Sequence, residues 1–194
     1  MNSAVLDMNS TVLDANVLYS SMLRDFLLWL AADDVFTPFW SEEIQNEWTR
    51  KALENCPNVT PEKLARTCQN MNTHFPEGCV RGYEFITPMP QLPDPNDQHV
   101  LAVAIHIKAK YIVTFNLDDF PQTILQSHGI GVLSPDDFAV RVIREDPDAA
   151  FVAIRIHRSG LKNPPMTADE YITMIEQQRL PETAKFLREH KGDI

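Results

Sequence analysis

Glycine is scarce in this chain, with six residues in 194 against 14 prolines. No GxGxxG or Walker-type loop occurs, so the usual sequence signals for dinucleotide or nucleoside triphosphate binding are missing. No apolar run approaches the roughly 20 residues of a membrane span. The opening MNSAVLDMNS lacks the basic and then apolar pattern of a signal peptide, and the expectation is a cytoplasmic protein with no membrane partner. Cysteine is limited to Cys56, Cys68 and Cys79, an odd number with no CxxC. His74 lies among them, but without closely paired ligands neither a zinc knuckle nor a disulfide framework is indicated, and the thiols read as buried or idle. Positive charge is also in deficit: 17 Lys and Arg face 27 Asp and Glu, a net charge of −10. That balance argues mildly against a polyanionic partner. Residues 1–150 carry the whole deficit, with 10 basic and 21 acidic side chains, whereas residues 151–194 carry 7 and 6.

What is present is an ordinary globular composition, 44% hydrophobic and 23% charged, in a chain long enough to bury a sizeable core. One domain over residues 1–146 followed by a helical extension over 147–194 fits the length better than two equal domains.

Short β-prone runs alternate with longer helical ones. Strands are expected at Thr11 to Asp14, Val35 to Thr37, Tyr83 to Thr87, 111-YIVTF-115 and a short GVL run near 130. Helices are expected at Val17 to Leu30, from a Ser41 cap through Leu53, over 61–72 behind Thr60 and Pro61, over 96–110, weakly over 121–127, and over 135–145. Runs apolar on both faces, alternating with helices, predict a mainly parallel sheet covered by helices. The extension reads as three helices, one started by Pro147 and stopped by Gly160, one opened by a Thr167/Glu170 capping box, and one started by Pro181.

In an open α/β sheet, ligands bind at the carboxyl ends of the strands. Asp14 ends the first strand, Glu43 and Glu47 lie on the helix after the second, and Asp94 and Asp97 open the helix after the third. Asn116, Asp118 and Asp119 follow 111-YIVTF-115. Like charges gathered in one crevice repel, and an all-oxygen ligand set suits Mg²⁺ or Mn²⁺. The chemistry this implies is metal-assisted phosphodiester hydrolysis.

Each acid also has a plainer reading. Asp14 is a good N-cap for the helix that follows, Asp94 reads as the cap before Pro95, and Asp97 suits a helix dipole with no further role. Glu47 can pair with Lys51 one turn on, although it borders the buried Ile44/Trp48 stripe; Glu43 is the fallback. In 116-NLDDFP-121 a turn is sufficient explanation.

The set 12-VLDANVLYS-20, 40-WSEEIQNEWTRKAL-53, 94-DPNDQHVLAVAI-105 and 112-IVTFNLDDFP-121 resembles PIN-domain nucleases, and in size and context the VapC-type toxins of prokaryotic toxin–antitoxin pairs. The resemblance covers roughly residues 10–145, with the motifs in the family's order and spacing. It implies a three-layer α/β/α sandwich with an acidic pocket for Mg²⁺ or Mn²⁺. By motif, Asp14 matches the first acid, Glu47 the family's glutamate and Asp97 the third acid. At the fourth position many members carry aspartate where this chain has Asn116; Asp119 is then the preferred fourth acid, with Asn116 and Asp118 as further oxygen donors. Ser20 or Thr114 is expected to support the pocket by hydrogen bonding. The resemblance further implies an RNA substrate, frequent homodimerisation and a cognate antitoxin. The segment 155-RIHRSGLK-162, with three cations and no acid, is a candidate for phosphate contacts or equally a solvated helix end. One rival enzyme, a haloacid-dehalogenase-like phosphatase, needs a second acid where this chain has Asn16. The rival from another class is a catalytically weak PIN-like module that binds RNA or protein.

Overall fold

The computed structural model describes residues 9–86, 89–162 and 165–194. In chain order the elements are β1 (Ser10–Leu13), α1 (Ala15–Leu18), α2 (Ser21–Ala32), β2 (Thr37–Ser41), α3 (Glu42–Asn55), α4 (Pro61–His74), β3 (Cys79–Val80) and α5 (Gln98–Ile107). There follow β4 (Tyr111–Val113), α6 (Gln122–Leu125), β5 (Gly131–Leu133), α7 (Pro135–Glu145), α8 (Pro147–Gly160), α9 (Ala168–Gln177) and α10 (Pro181–Glu189). These residues form two compact units, one of the described residues in 9–19 with 37–132 and one of those in 20–36 with 133–194.

The first unit holds a five-stranded sheet in the order β3-β2-β1-β4-β5. The pairings of β1 with β2, β1 with β4 and β2 with β3 are all parallel. Val12, Leu13, Ile112 and Val113 are fully buried, as expected of central strands covered on both faces. This is the parallel α/β sandwich with C-terminal helices that the sequence predicts. Because β1 lies between β2 and β4, the segments that leave these three strands emerge side by side at one edge of the sheet.

The second unit is helical. Helix α2 packs against α8, α7 against α8 and α10, and α9 against α10. Its core includes Phe26, Leu27, Ile154, Tyr171, Ile175 and Leu187. Thr167 and Glu170 form the reciprocal capping box expected of them. Arg155 donates to the carbonyl of Asp193 over 2.6 Å, and Arg158 to those of Met166 (2.9 Å) and Ile194 (3.4 Å). The two guanidiniums proposed from the sequence as phosphate contacts are therefore employed in holding the C-terminal segment.

Several boundaries move. The single helix expected over Val17 to Leu30 is broken at Tyr19–Ser20, where Ser20 turns extended and caps α2 by accepting from the Leu23 N–H. The second strand is Thr37–Ser41 rather than Val35 to Thr37, although Pro38 denies it one ladder donor. Tyr83–Phe85 is a 3₁₀ turn, entered through Gly82 at φ 82°, and the edge strand is Cys79–Val80. Thr87 lies outside the described residues. A further 3₁₀ turn, Pro95–Asp97, precedes α5, which stops at Ile107 because Lys108 turns left-handed. All three cysteines are free thiols, part-buried.

Candidate active site

Strand β1 ends at Leu13, which pairs with Val113 of β4, so Asp14 and Thr114 leave neighbouring strands together. Asp14 caps α1: its Oδ1 accepts from the Ala15 N–H over 2.5 Å. Its Oδ2 accepts from the Thr114 hydroxyl (2.7 Å) and from the Asn16 amide (2.6 Å). Asn16 also donates to Thr114 Oγ1 (2.9 Å) and accepts from the Phe115 N–H (3.1 Å), tying the two strand ends together. Cap and cavity wall are thus one residue. Asp14 is 3% exposed. Burial raises its pKa, against the opposing pull of the Thr114 hydroxyl.

Ser41 ends β2 and caps α3 by accepting from the Ile44 N–H over 3.1 Å. Apolar Ile44, Trp48 and Ala52 face inward, which leaves Glu43, Glu47, Arg50 and Lys51 for the cavity side. Glu47 accepts from Lys51 over 2.8 Å, and His99 Nε2 stands 3.6 Å from its other oxygen. The His99 imidazole, then Lys51, hold the Glu47 carboxyl down to about 2 in spite of burial. Burial works against a charged His99, yet Glu47, Glu43 and Asp14 raise its pKa. Tyr83 donates to Glu43 over 3.2 Å.

The turn before α5 supplies Asp94 and Asp97. Asp94 caps by accepting from the Asn96 N–H over 2.9 Å, as its plainer reading predicts. Asp97 Oδ2 is buried and has no hydrogen-bond partner. Burial first, and then the charges of Asp14, Asp119, Asp94 and Glu47, push its carboxyl up to about 7.

One cavity of about 700 Å³ collects these groups. Asp14, Glu47, Asp97 and Asn116, four of the six residues proposed from the sequence, line it together with Glu43 and Asp94. Asp118 and Asp119 fall on the 3₁₀ turn Leu117–Asp119 and outside that lining, Asp118 exposed and Asp119 part-buried. Ser20, expected as a supporting hydroxyl, instead donates to Gln178 over 2.6 Å in the helical unit. Thr114 does support the pocket. The sequence reading missed Asn16, Arg50, Lys51 and His99 as wall residues. The signal available was spacing: Arg50 and Lys51 lie one turn beyond Glu47, and His99 two residues beyond Asp97.

Among the described residues, no three His, Cys, Asp or Glu side chains are grouped closely enough to hold a metal ion. The donor chemistry nevertheless suits a hard cation. Most of the available donors are oxygens, His99 Nδ1 being the one buried and unpartnered nitrogen beside them; one carboxylate oxygen is buried and unpartnered, and two of the acids have raised pKa values through burial and mutual repulsion.

A parallel sheet with an acidic cavity at the carboxyl ends of β1, β2 and β4 defines an α/β protein of the PIN type. Residues 10–118 match the PIN domain family model, and the chain belongs to that family. Residues 135–189 match the VapC50 C-terminal domain. Over 82 residues the chain is 33% identical to the protein named "Putative ribonuclease VapC50" of Mycobacterium tuberculosis (strain ATCC 25618 / H37Rv). That alignment covers 42% of this chain and 48% of the relative, so the chain spans about half the length of the curated relative it matches. No solved structure matches the chain.

Proposed function

We propose that the protein is a divalent-metal-dependent endoribonuclease, using Mg²⁺ or Mn²⁺, and the toxin of a toxin–antitoxin pair. The observation that carries the reading is Asp97: a part-buried carboxylate with one buried and unpartnered oxygen, in one cavity with Asp14 and Glu47. Burying like charges together is costly unless a cation joins them. When bound, a divalent ion supplies Lewis acidity, lowering the pKa of a water and offsetting the charge of a phosphodiester.

The chain's own residues divide the remaining work. Asp14 is fixed by three hydrogen bonds and offers its oxygens in one orientation. Glu47 stays ionised between His99 and Lys51. Asp97 brings the unpartnered oxygen, and Asn116 a neutral one. Arg50 and Lys51 line the same cavity, where they offset part of its negative charge toward an incoming phosphate. Support for the RNA substrate and for the toxin role comes from the PIN-family membership, the VapC50 C-terminal domain match and the printed name of the relative. A cognate antitoxin and a homodimer, a cytoplasmic location and Asp118 or Asp119 as further ligands belong to the same proposal.

The test is cleavage of a mixed RNA pool by purified protein with Mg²⁺, with Mn²⁺ or with EDTA, alongside Asp14→Asn and Asp97→Asn. Metal-dependent cleavage lost in both variants is the expected result. Equal background in every lane sinks the nuclease reading. Growth arrest on induced expression, relieved by co-expressing a small adjacent reading frame, tests the toxin reading separately.

A further inference from the structure

A second cavity, of about 690 Å³, lies along the same helix α3, between it, α4 and the edge strand β3. Asn46 lines both cavities. At about 100° per residue, Glu43, Glu47 and Arg50 lie on one side of Asn46 around the helix, and Glu42, Gln45 and Thr49 on the other. Asn46 therefore stands on the ridge of α3 that the acidic cavity and the second groove share.

The two differ in charge. The acidic cavity has five carboxylates (Asp14, Glu43, Glu47, Asp94 and Asp97) against the cations Arg50 and Lys51. The groove has one of each, Glu42 and Arg81. A polyanion is repelled by the net negative lining of the first and meets no net repulsion in the second.

The groove is also furnished for hydrogen bonding. Gln45 and Asn72 exchange amide hydrogen bonds, and Asn72 accepts from Trp40 Nε1 over 3.0 Å, which fixes the floor. Asn46, Gln69, Thr73 and Arg81 rise from it as exposed groups. The Arg81 guanidinium, like that of Arg50 in the first cavity, makes no ion pair or hydrogen bond among the described residues. Leu53, 42% exposed, adds an apolar surface. Amides and hydroxyls suit the edges of unstacked bases, and a guanidinium suits a phosphate.

We propose that the groove between α3 and α4 is a subsite for the nucleotides flanking the scissile phosphate of single-stranded RNA, with Arg81 contacting a backbone phosphate and Asn46, Gln69 and Thr73 contacting bases. The proposal rests on the ribonuclease reading for the identity of the polymer. It adds where the strand runs on leaving the acidic cavity.

The test compares a single-stranded RNA of about twelve nucleotides with one of about three, the shorter too short to reach from the cavity across the groove. KM is measured for both in Mg²⁺, and binding of fluorescent forms by anisotropy in Ca²⁺, for wild type, Arg81→Ala and Gln69→Ala/Thr73→Ala. Arg66→Ala, an exposed cation of α4 outside the groove lining, controls for net charge. The expected result is that Arg81→Ala lowers the preference for the long over the short RNA about tenfold and reduces the salt slope of binding by about one, while kcat changes little. Cleavage by wild type with the same length preference in all variants overturns the subsite. So does an Arg66→Ala effect equal to that of Arg81→Ala. Groove-dependent binding without metal-dependent cleavage retains the subsite and overturns the nuclease reading. Neither binding nor cleavage overturns both.

Discussion

The hydroxyl of Thr114 donates to Asp14 Oδ2 over 2.7 Å across 100 positions of sequence. Asn116 N–H and Asn16 Nδ2 both donate to the same hydroxyl oxygen, so Thr114 is left with one direction for its proton. Asp14 is held in register by the parallel pairing beneath it. Thr114→Val keeps the shape and removes the bond. A hydrogen bond that orients a metal-binding carboxylate in this way is worth about 10–100-fold in metal affinity or activity. The expected outcome is a fall of that size in RNA cleavage and a higher Mg²⁺ midpoint, both largely restored in Thr114→Ser. Wild-type rate and midpoint in Thr114→Val would show the bond to be structural only.

Asp97 carries the opposite sign of linkage from an ordinary paired carboxylate. Its folded pKa is pushed up to about 7 from 3.8, so between those values the folded state binds more protons than the unfolded one. Stability from this group is greatest below pH 3.8 and is lost as pH rises through 7. Asp97→Asn removes the repulsion with Asp14 and Glu47. The variant is expected to lose cleavage yet melt higher than wild type at pH 8, with the gap closing toward pH 5. Saturating Mg²⁺ is expected to raise the wild-type melting temperature more than the variant's. A variant that melts lower than wild type at pH 8 refutes the account.

The parts of the fold that declare themselves in the sequence are those with a local cause. Ser41, Thr60 and the Thr167/Glu170 box each cap the helix expected of them, because a cap is a contact between residues three apart. Strand β2 was displaced because Val35 and Phe36 look β-prone, while Pro38 in 37-TPFWS-41 argues against a strand that its parallel neighbours enforce. The edge strand Cys79–Val80 is two residues long, too short for any period to show. At the site, Asp14, Glu47 and Asp97 reached one cavity, while Asp119, preferred as the fourth acid, falls outside its lining; His99 and Arg50 did not stand out, since their positions matter only once α3 and α5 face the same space. That residues 20–36 join 133–194 in one unit depends on α2 meeting α8, a pairing between segments more than 100 residues apart with no sequence signature.

Within the helical unit, Asp136 is 9% exposed and spends its carboxylate on the start of α10. Oδ2 accepts from the Glu182 N–H (2.9 Å), and Oδ1 from the Thr183 N–H (2.8 Å) and hydroxyl (2.7 Å). Helix α10 has no side-chain cap of its own, Leu180 occupying that position. Asp136→Ala leaves two N–H groups without their acceptor and the buried Thr183 hydroxyl with only the carbonyl of residue 136, 3.4 Å away, a loss of about 2–4 kcal/mol. Asp136→Asn keeps one acceptor oxygen and is expected to lose about half as much. Urea denaturation checks both, and a loss below about 0.5 kcal/mol in Asp136→Ala would show that water replaces the cap.

His157 gives this unit a pH dependence of its own. The ring is 3% exposed, packed by Phe26 and Trp29, with Nδ1 2.9 Å from the Tyr171 hydroxyl. Burial holds its pKa down to about 4 from 6.5, so the folded state keeps the imidazole neutral while the unfolded chain protonates it. The sign follows from that difference: stability is full above pH 6.5, falls as pH drops from 6.5 toward 4, and is level below. At 1.36 kcal/mol per pKa unit the total is about 3 kcal/mol. His157→Gln retains a polar partner for Tyr171 but cannot titrate. It is expected to be less stable than wild type at pH 7 through poorer packing, with the deficit shrinking steadily toward pH 4.5. The measurement is the difference in unfolding free energy between variant and wild type at each pH, which cancels the common titration of surface carboxylates. A difference that stays constant from pH 7 to 4.5 means that the folded protein accepts a proton on His157 as readily as the unfolded chain, and the buried-neutral assignment fails.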